Sequence, residues 1–294
     1  MPPKDSIANT LIVSLTLCIV CSLLVSGAAV ALKPLQEKNK SLDRQKNIVS
    51  ASGLGDPSQL SSKELEELFG KRVKRVLVDL DSGDTIADAD PAYEPRKAMK
   101  DDKLNEAIES QFDIGLAKRE KQTWVYQVLG ESGEVEQVVL PIYGMGLWST
   151  LYGYVAVDKD IRTIKGLTYY EHGETPGLGG EVENPNWKAK WVGKHIWKEG
   201  TPREDENLMV GVAKGAPIAE KEAYMVDGLS GATITSRGVD SMLKYWFSDD
   251  GFGPYLRHLA ASDKSTTTQP AAEQPESETA QPATEGAADG IPNS

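Results

Sequence analysis

The stretch Asp227-Gly228-Leu229-Ser230-Gly231-Ala232-Thr233-Ile234-Thr235 gathers three hydroxyls and two glycines beside an acidic residue. A β-rich segment, Glu222 to Val226, leads into it. After it, apolar residues recur at Val239, Met242, Leu243, Trp246 and Phe247, the spacing of one helical face. The order is strand, Gly-rich turn, helix. Ser230, Thr233 and Thr235 are each candidate helix N-caps. A helix start preceded by glycines leaves backbone N–H groups unpaired at the positive end of the dipole, which suits a phosphate. On residue types alone, a plain capped helix accounts for the same pattern.

Three further stretches could carry chemistry. In Gly144-Met145-Gly146-Leu147-Trp148, two glycines precede an aromatic residue and a strand. This is either a sheet bulge or a place where backbone closely approaches a planar ring. Glu171-His172-Gly173-Glu174-Thr175-Pro176-Gly177-Leu178-Gly179 is a loop rich in special backbone angles. His172 and Glu174 could begin a metal site, but no third ligand stands near them, so no metal is expected. Lys214-Gly215 follows a strand at Met209 to Ala213, and a lysine there could pair with a phosphate or simply face solvent.

Asp-Gly-Leu-Ser-Gly-Ala-Thr resembles the flavinylation motif of the FMN-binding domain family, Asp-Xaa-Xaa-Ser/Thr-Gly-Ala-Thr, with every fixed position matched. The resemblance implies that the closing threonine, Thr233, carries FMN through a phosphoester to its hydroxyl, with Ser230, Gly231, Ala232 and Thr235 around it. Thr235 offers the same hydroxyl two residues on, and only the motif favours Thr233. Gly-Xaa-Gly-Leu-Trp and His-Xaa-Glu-Thr-Pro-Gly-Leu-Gly are similar to two further signatures of that family. They imply that Leu147, Trp148, Glu174, Thr175, Gly177 and Leu178 line the isoalloxazine ring or its polar edge; Lys214-Gly215 is a further family-like dipeptide, whose lysine could pair with the phosphate.

With one N-terminal span, the order of these signatures resembles the flavin subunits of sodium-translocating NADH:quinone oxidoreductases, from roughly Ile7 to Leu259. The resemblance implies an electron carrier within a complex of other membrane subunits, loaded by a separate flavin transferase that takes FMN from FAD. Three alternatives stay open: the flavin subunit of a related Rnf-type, ferredoxin-linked complex, an anchored flavin-holding sensory module, and a purely structural subunit. Thr, Pro and acidic residues from Ser262 onward, and the stretch from Asp88 to Lys103, match no family pattern.

These residues require a scaffold. The expected fold class is α+β: a single N-terminal transmembrane helix, an antiparallel sheet with helices that forms the FMN-binding domain, and a disordered C-terminal tail. From Ile7 to Leu32 there is no charged residue. Leu11 to Leu32 as a helix would reach about 33 Å, enough for a bilayer core. That length favours an uncleaved anchor over a signal peptide, although Ser26-Gly27-Ala28-Ala29 resembles a cleavage site. Residues 1–6 precede the anchor (7–32). A linker (33–60) continues the helix and then loops at Ala51 to Ser58, and a soluble domain (61–261) and a tail (262–294) follow. Ser61-Ser62-Lys63-Glu64 reads as a capping box, and Lys74 to Leu80 as a strand facing inward at Val76, Val78 and Leu80. Asp79 to Asp84 reads as a solvated turn rather than a calcium loop. Pro91 to Lys103 reads as irregular and Leu104 to Gly115 as a short helix. Consecutive strands are expected at Gln122 to Leu129, Val135 to Tyr143, Leu147 to Val157 and Thr163 to Tyr170, with a hairpin turn at Glu131 to Glu134. Asn184 to Lys194 reads as amphipathic, with Trp187, Trp191 and Val192 on one side. Leu208 to Val212 and Ala223 to Val226 read as strands, and Tyr255 to Ala261 as a last helix.

Composition excludes several classes. The net charge of −12 disfavours a nucleic-acid partner. Both cysteines, Cys18 and Cys21, lie in the apolar span, so disulfides, Cys-ligated zinc and thiolate-held iron–sulfur clusters are excluded from the soluble part. No Ser/His/Asp arrangement, Walker loop or Rossmann fingerprint is present, so neither hydrolysis nor direct NADH binding is supported. Lys33, Lys38, Lys40, Arg44 and Lys46 follow the span, which counted naively keeps the domain in the cytoplasm. Long domains translocate regardless of such charges. The family resemblance implies the bacterial inner membrane with the domain on the periplasmic side.

Overall fold

The structure is a computed structural model that describes residues 6–267. Helix α1 runs unbroken from Ile7 to Ser52, with Pro34 inside it just past the apolar span. The expected helical extension is present, and it does more than connect. Its last turn buries Ile48, Val49, Ala51 and Ser52. Helix α2 (Ser62–Arg72) opens on the expected capping box, in which Ser61 and Glu64 exchange side-chain and backbone hydrogen bonds.

Six strands form the central sheet: β1 (Val73–Asp79), β2 (Thr85–Ile86) and, after shorter elements, β5 to β8. The shorter elements are α3 (Pro95–Ala98), β3 (Asn105–Ala107) and β4 (Lys118–Glu120). Strands β5 (Gln122–Leu129), β6 (Val135–Met145), β7 (Thr150–Asp158) and β8 (Ile164–Glu171) fall at the four expected runs, with shifted ends. The spatial order is β2-β1-β5-β6-β7-β8, antiparallel throughout. The sheet is covered on both faces, so β6 buries consecutive residues: Val138 and Leu140 on one side, Val139 on the other. One cover is the end of α1, where Ile48 and Ala51 pack with Leu77, Trp124, Tyr126, Val139 and Tyr154. A Cβ on Gly166 of β8 would lie 2.2 Å from the Ala51 carbonyl oxygen, so glycine permits this approach.

The other cover comes from later in the chain. Helix α4 (Pro185–Ala189) is followed by β9 (Gly211–Ala213), β10 (Met225–Asp227), α5 (Thr233–Phe247) and α6 (Gly253–Thr267). Strands β9 and β10 pair in parallel. Val239, Met242, Leu243, Trp246 and Phe247 are all buried, as their spacing requires. Full burial of a large apolar side chain is worth about 1.5–3 kcal/mol, so this face alone holds α5 on the sheet. Trp246 Nε1 also donates to the Tyr143 carbonyl at 2.8 Å.

Several expectations need correction. Leu104 to Gly115 is not a helix: it holds β3 and a loop. There Ser110 Oγ accepts from the Phe112 amide and Asp113 Oδ1 from the Gly115 amide, so side chains take the N–H groups a helix would use. Pro91 to Lys103 contains one short helix, α3, with proline at its start. The third of the four expected runs, Leu147 to Val157, begins only at Thr150, because the Gly146 amide bonds to the Ser149 carbonyl and closes a turn. Helix α4 stops at Ala189, and Gly193, at φ 83°, turns the chain so that Trp187 and Trp191 are buried while Val192 is exposed. The two late strands shrink to Gly211–Ala213 and Met225–Asp227, the latter after a turn in which the Tyr224 amide reaches the Lys221 carbonyl. Helix α6 runs past the expected Ala261 to Thr267, into the expected tail. The remainder of that tail lies outside the described residues.

Candidate functional site

Strand β10 delivers Asp227 to the turn and α5 leaves it. The Asp227 carbonyl accepts from Trp187 Nε1 at 2.9 Å, and its carboxylate takes Lys190 Nζ on both oxygens at 2.7 and 2.8 Å. Gly231 sits at φ 71°, a conformation that favours glycine, and reverses the chain. The Leu229 amide donates to Ser236 Oγ at 2.9 Å, closing the turn onto the helix.

The expected side-chain cap is absent. The N-cap position is Ala232, which makes no side-chain cap hydrogen bond. Ser230 does not serve because Gly231 turns the chain between it and the helix, and Ser236 and Thr235 spend their oxygens elsewhere. Nothing from a side chain therefore competes for the amides of the first helical turn, which point out at the positive end of the dipole.

Beside this helix start lies a cleft of about 260 Å³ lined by Lys214, Gly215, Ser230, Thr233, Ser236 and Arg237 among others. Thr233 is exposed in it. Lys214 reaches it from the end of β9, which is pinned to α5 where the Val212 amide donates to Asp240 Oδ1 at 2.9 Å. Arg237 went unnoticed in the sequence, although its spacing of one helical turn from Thr233 places both on one face. The donor set is two cations, free helix-start amides and a hydroxyl, which fits a phosphate.

A second feature adjoins the cleft. Leu147, Trp148, Leu178 and Ile234 are 43%, 68%, 44% and 54% exposed, unusual for large apolar side chains in one neighbourhood. Leu178 lies over Gly231, and Ile234 follows Thr233 in the helix. Thr175 and Gly177 are exposed in the same loop. An apolar rim beside a phosphate-binding helix start suits a planar ring attached to that phosphate.

Glu174 faces the other way. It is 5% exposed, and its carboxylate accepts from the amides of Leu147 (3.2 Å), Trp148 (2.8 Å) and Ser149 (3.3 Å) and from the Thr235 hydroxyl (2.6 Å). Burial alone would raise its pKa. The Thr235 hydroxyl and the three amides outweigh burial and hold the carboxyl below its ordinary value. The sign follows: a depressed folded-state pKa gives stability that is complete above the ordinary glutamate range, about 4.3, and is lost as pH falls through the lower folded value. The gap in melting temperature between wild type and Glu174→Gln is expected to stay constant from neutral pH down to that range and to shrink below it. A gap that widens on acidification would contradict this sign.

The site residues expected from sequence thus form two adjoining groups. Thr233, Ser230 and Lys214 border the cleft, with Gly231 and Ala232 in its turn; Leu147, Trp148, Thr175, Gly177 and Leu178 form the exposed rim. Glu174 and Thr235 lie buried between the groups.

Residues 146–248 match the FMN-binding domain family model. The chain is 46% identical to the C subunit of the Na(+)-translocating NADH-quinone reductase of Pseudomonas aeruginosa over 264 residues, covering 88% of this chain and 98% of that one. It is 42% identical to the protein of the same name from Yersinia pestis, covering 87% and 94%. The crystal structure of NqrC from Shewanella oneidensis superposes with a TM-score of 0.66 at 35% identity, covering 77% of this chain and 99% of that one. By identity at this level over nearly the full length of its relatives, the chain belongs to the NqrC family, the C subunits of Na(+)-translocating NADH-quinone reductases.

Proposed function

We propose that this chain is the electron-transfer subunit of a membrane sodium-pumping NADH:quinone oxidoreductase and holds FMN covalently on the Thr233 hydroxyl. The observation that carries the attachment site is the contrast between two threonines. Thr233 is exposed in a cleft with Lys214 and Arg237, whereas the Thr235 hydroxyl is buried and spent on Glu174. When bound, FMN supplies the redox chemistry. The chain's own residues hold and orient it. Lys214, Arg237 and the helix-start amides neutralise the phosphate, while Leu147, Trp148, Leu178 and Ile234 exclude water from one face of the ring. A flavin transferase would pass FMN from FAD to the Thr233 hydroxyl, forming the phosphoester as the FAD pyrophosphate bond breaks and AMP leaves, and other subunits of the complex would deliver and remove electrons.

Helix α1 includes a window of mean hydropathy 2.4 that is long enough to cross a membrane. In this reading it is a single-pass anchor in the bacterial inner membrane, with the sheet domain on the periplasmic side. The related ferredoxin-linked complex would use the same site chemistry, and the names of the relatives favour the NADH-quinone reductase.

Membranes lacking this chain are expected to lose sodium-dependent, NADH-driven quinone reduction and to regain it with wild type but not with Thr233→Val. Restoration by Thr233→Val, or activity independent of sodium, would overturn the assignment. Replacing both Lys214 and Arg237 by alanine is expected to slow flavin incorporation tenfold or more, since a charged hydrogen bond is worth about 1.5–3 kcal/mol. A time course of in-gel flavin fluorescence reads it.

A further inference from the structure

The geometry points to Glu174 as a positioning residue that selects which threonine receives the flavin, acting through Thr235; this rests on the reading of Thr233 as the attachment point. One buried carboxylate joins three separate segments: the Leu147-Trp148-Ser149 turn, its own loop and the first turn of α5. Two glycines are shaped around it. A Cβ on Gly146 would stand 2.6 Å from Glu174 Oε1, and one on Gly179 would stand 2.5 Å from Glu174 Oε2 and 2.6 Å from Thr235 Oγ1. Those glycines therefore make room for the carboxylate, not for a ligand.

The consequence for α5 is rotational. Successive residues of a helix are about 100° apart, so fixing Thr235 inward fixes Thr233 outward toward Lys214 and Arg237. Held inward by that bond, the Thr235 hydroxyl is 1% exposed and out of reach of a transferase that meets Thr233 at the surface. Because the same carboxylate holds the Leu147-Trp148 turn, it sets the apolar rim and the attachment hydroxyl in one mutual geometry. Charge matters as well as shape. All four partners are donors, so glutamine, which places an NH₂ group among them, cannot reproduce the arrangement.

The test co-produces the full chain with a flavin transferase at limiting amounts and compares wild type, Thr233→Val, Thr235→Val, Thr235→Ser, Glu174→Gln and the combined Glu174→Gln, Thr235→Val variant. Covalent flavin per chain is read in a denaturing gel, its position by peptide mass, and folding by thermal melting. Thr235→Val and Glu174→Gln are expected to lower flavin loading at least fivefold and to alter the visible circular dichroism of the remaining label, part of which in Glu174→Gln moves to Thr235. Thr235→Ser, which keeps the donor, is expected to restore both loading and the dichroism. The combined variant is expected to be no worse than the weaker single one, since both remove one network. Should Glu174→Gln fail to fold, the Thr235→Val and Thr235→Ser pair decides alone. Wild-type loading and dichroism in Thr235→Val, or loss in Thr235→Ser equal to that in valine, would overturn the positioning role. Failure of the underlying reading is separate and visible: Thr233→Val would then keep its label.

Discussion

Thr233→Val is expected to give a folded, membrane-anchored chain with no acid-stable flavin, a complete loss rather than a reduction. Valine matches threonine in shape but offers no oxygen for a phosphoester. The position is exposed, so stability should move by only about 0.5 kcal/mol. Loss of colour with the melting temperature of flavin-free wild type, produced without the transferase, is the signature. Fluorescence retained after acid precipitation would place the bond on another residue. A melt lowered by many degrees would mean that Thr233 has a structural role its surroundings do not suggest.

The second large effect concerns where the anchor ends. Removing residues 1–32 is expected to leave a soluble, cooperatively folding domain, because every buried residue of α1 lies at or beyond Ile48. Removing residues 1–52 also strips Ile48, Val49 and Ala51 and uncovers Trp124, Tyr126, Val139 and Tyr154. At about 1.5–3 kcal/mol for each large apolar side chain, the loss is comparable with the 5–15 kcal/mol by which domains are usually stable. The longer truncation should therefore aggregate or melt without cooperativity, as read by circular dichroism and size-exclusion chromatography. Equal melting temperatures for the two forms would refute the view that α1 is part of the core.

How far the sequence spoke depended on the range of the forces involved. The face of α5 and the runs of β5 to β8 were legible because periodicity reports burial directly, and Ser61 with Glu64 was legible because a capping box is local. The end of α1 as a lid on the sheet was not, since Lys46-Asn47-Ile48-Val49 gives no sign of what it covers. Leu104 to Gly115 misled because Ser110 and Asp113 draw backbone amides into turns.

At the site, Thr233 and Lys214 could be named from a motif, yet the motif alone could not separate Thr233 from Thr235. That separation comes from Glu174, which lies 61 residues from Thr235 in the chain and 2.6 Å from it in space. Arg237 was within reach of helical spacing but lay outside every signature. Glu174 itself was placed correctly in the neighbourhood, while the direction of its carboxylate depended on amides that no sequence pattern reveals.

The central claim is a bond between one hydroxyl and one phosphorus. Trypsin releases Glu222 to Arg237 as a single peptide, since no lysine or arginine interrupts it. Fragmentation mass spectrometry of that peptide from native membranes should find it heavier by one FMN less one water, with the added mass on Thr233. A fully unmodified peptide, or the added mass on Ser230 or Thr235, would contradict the account.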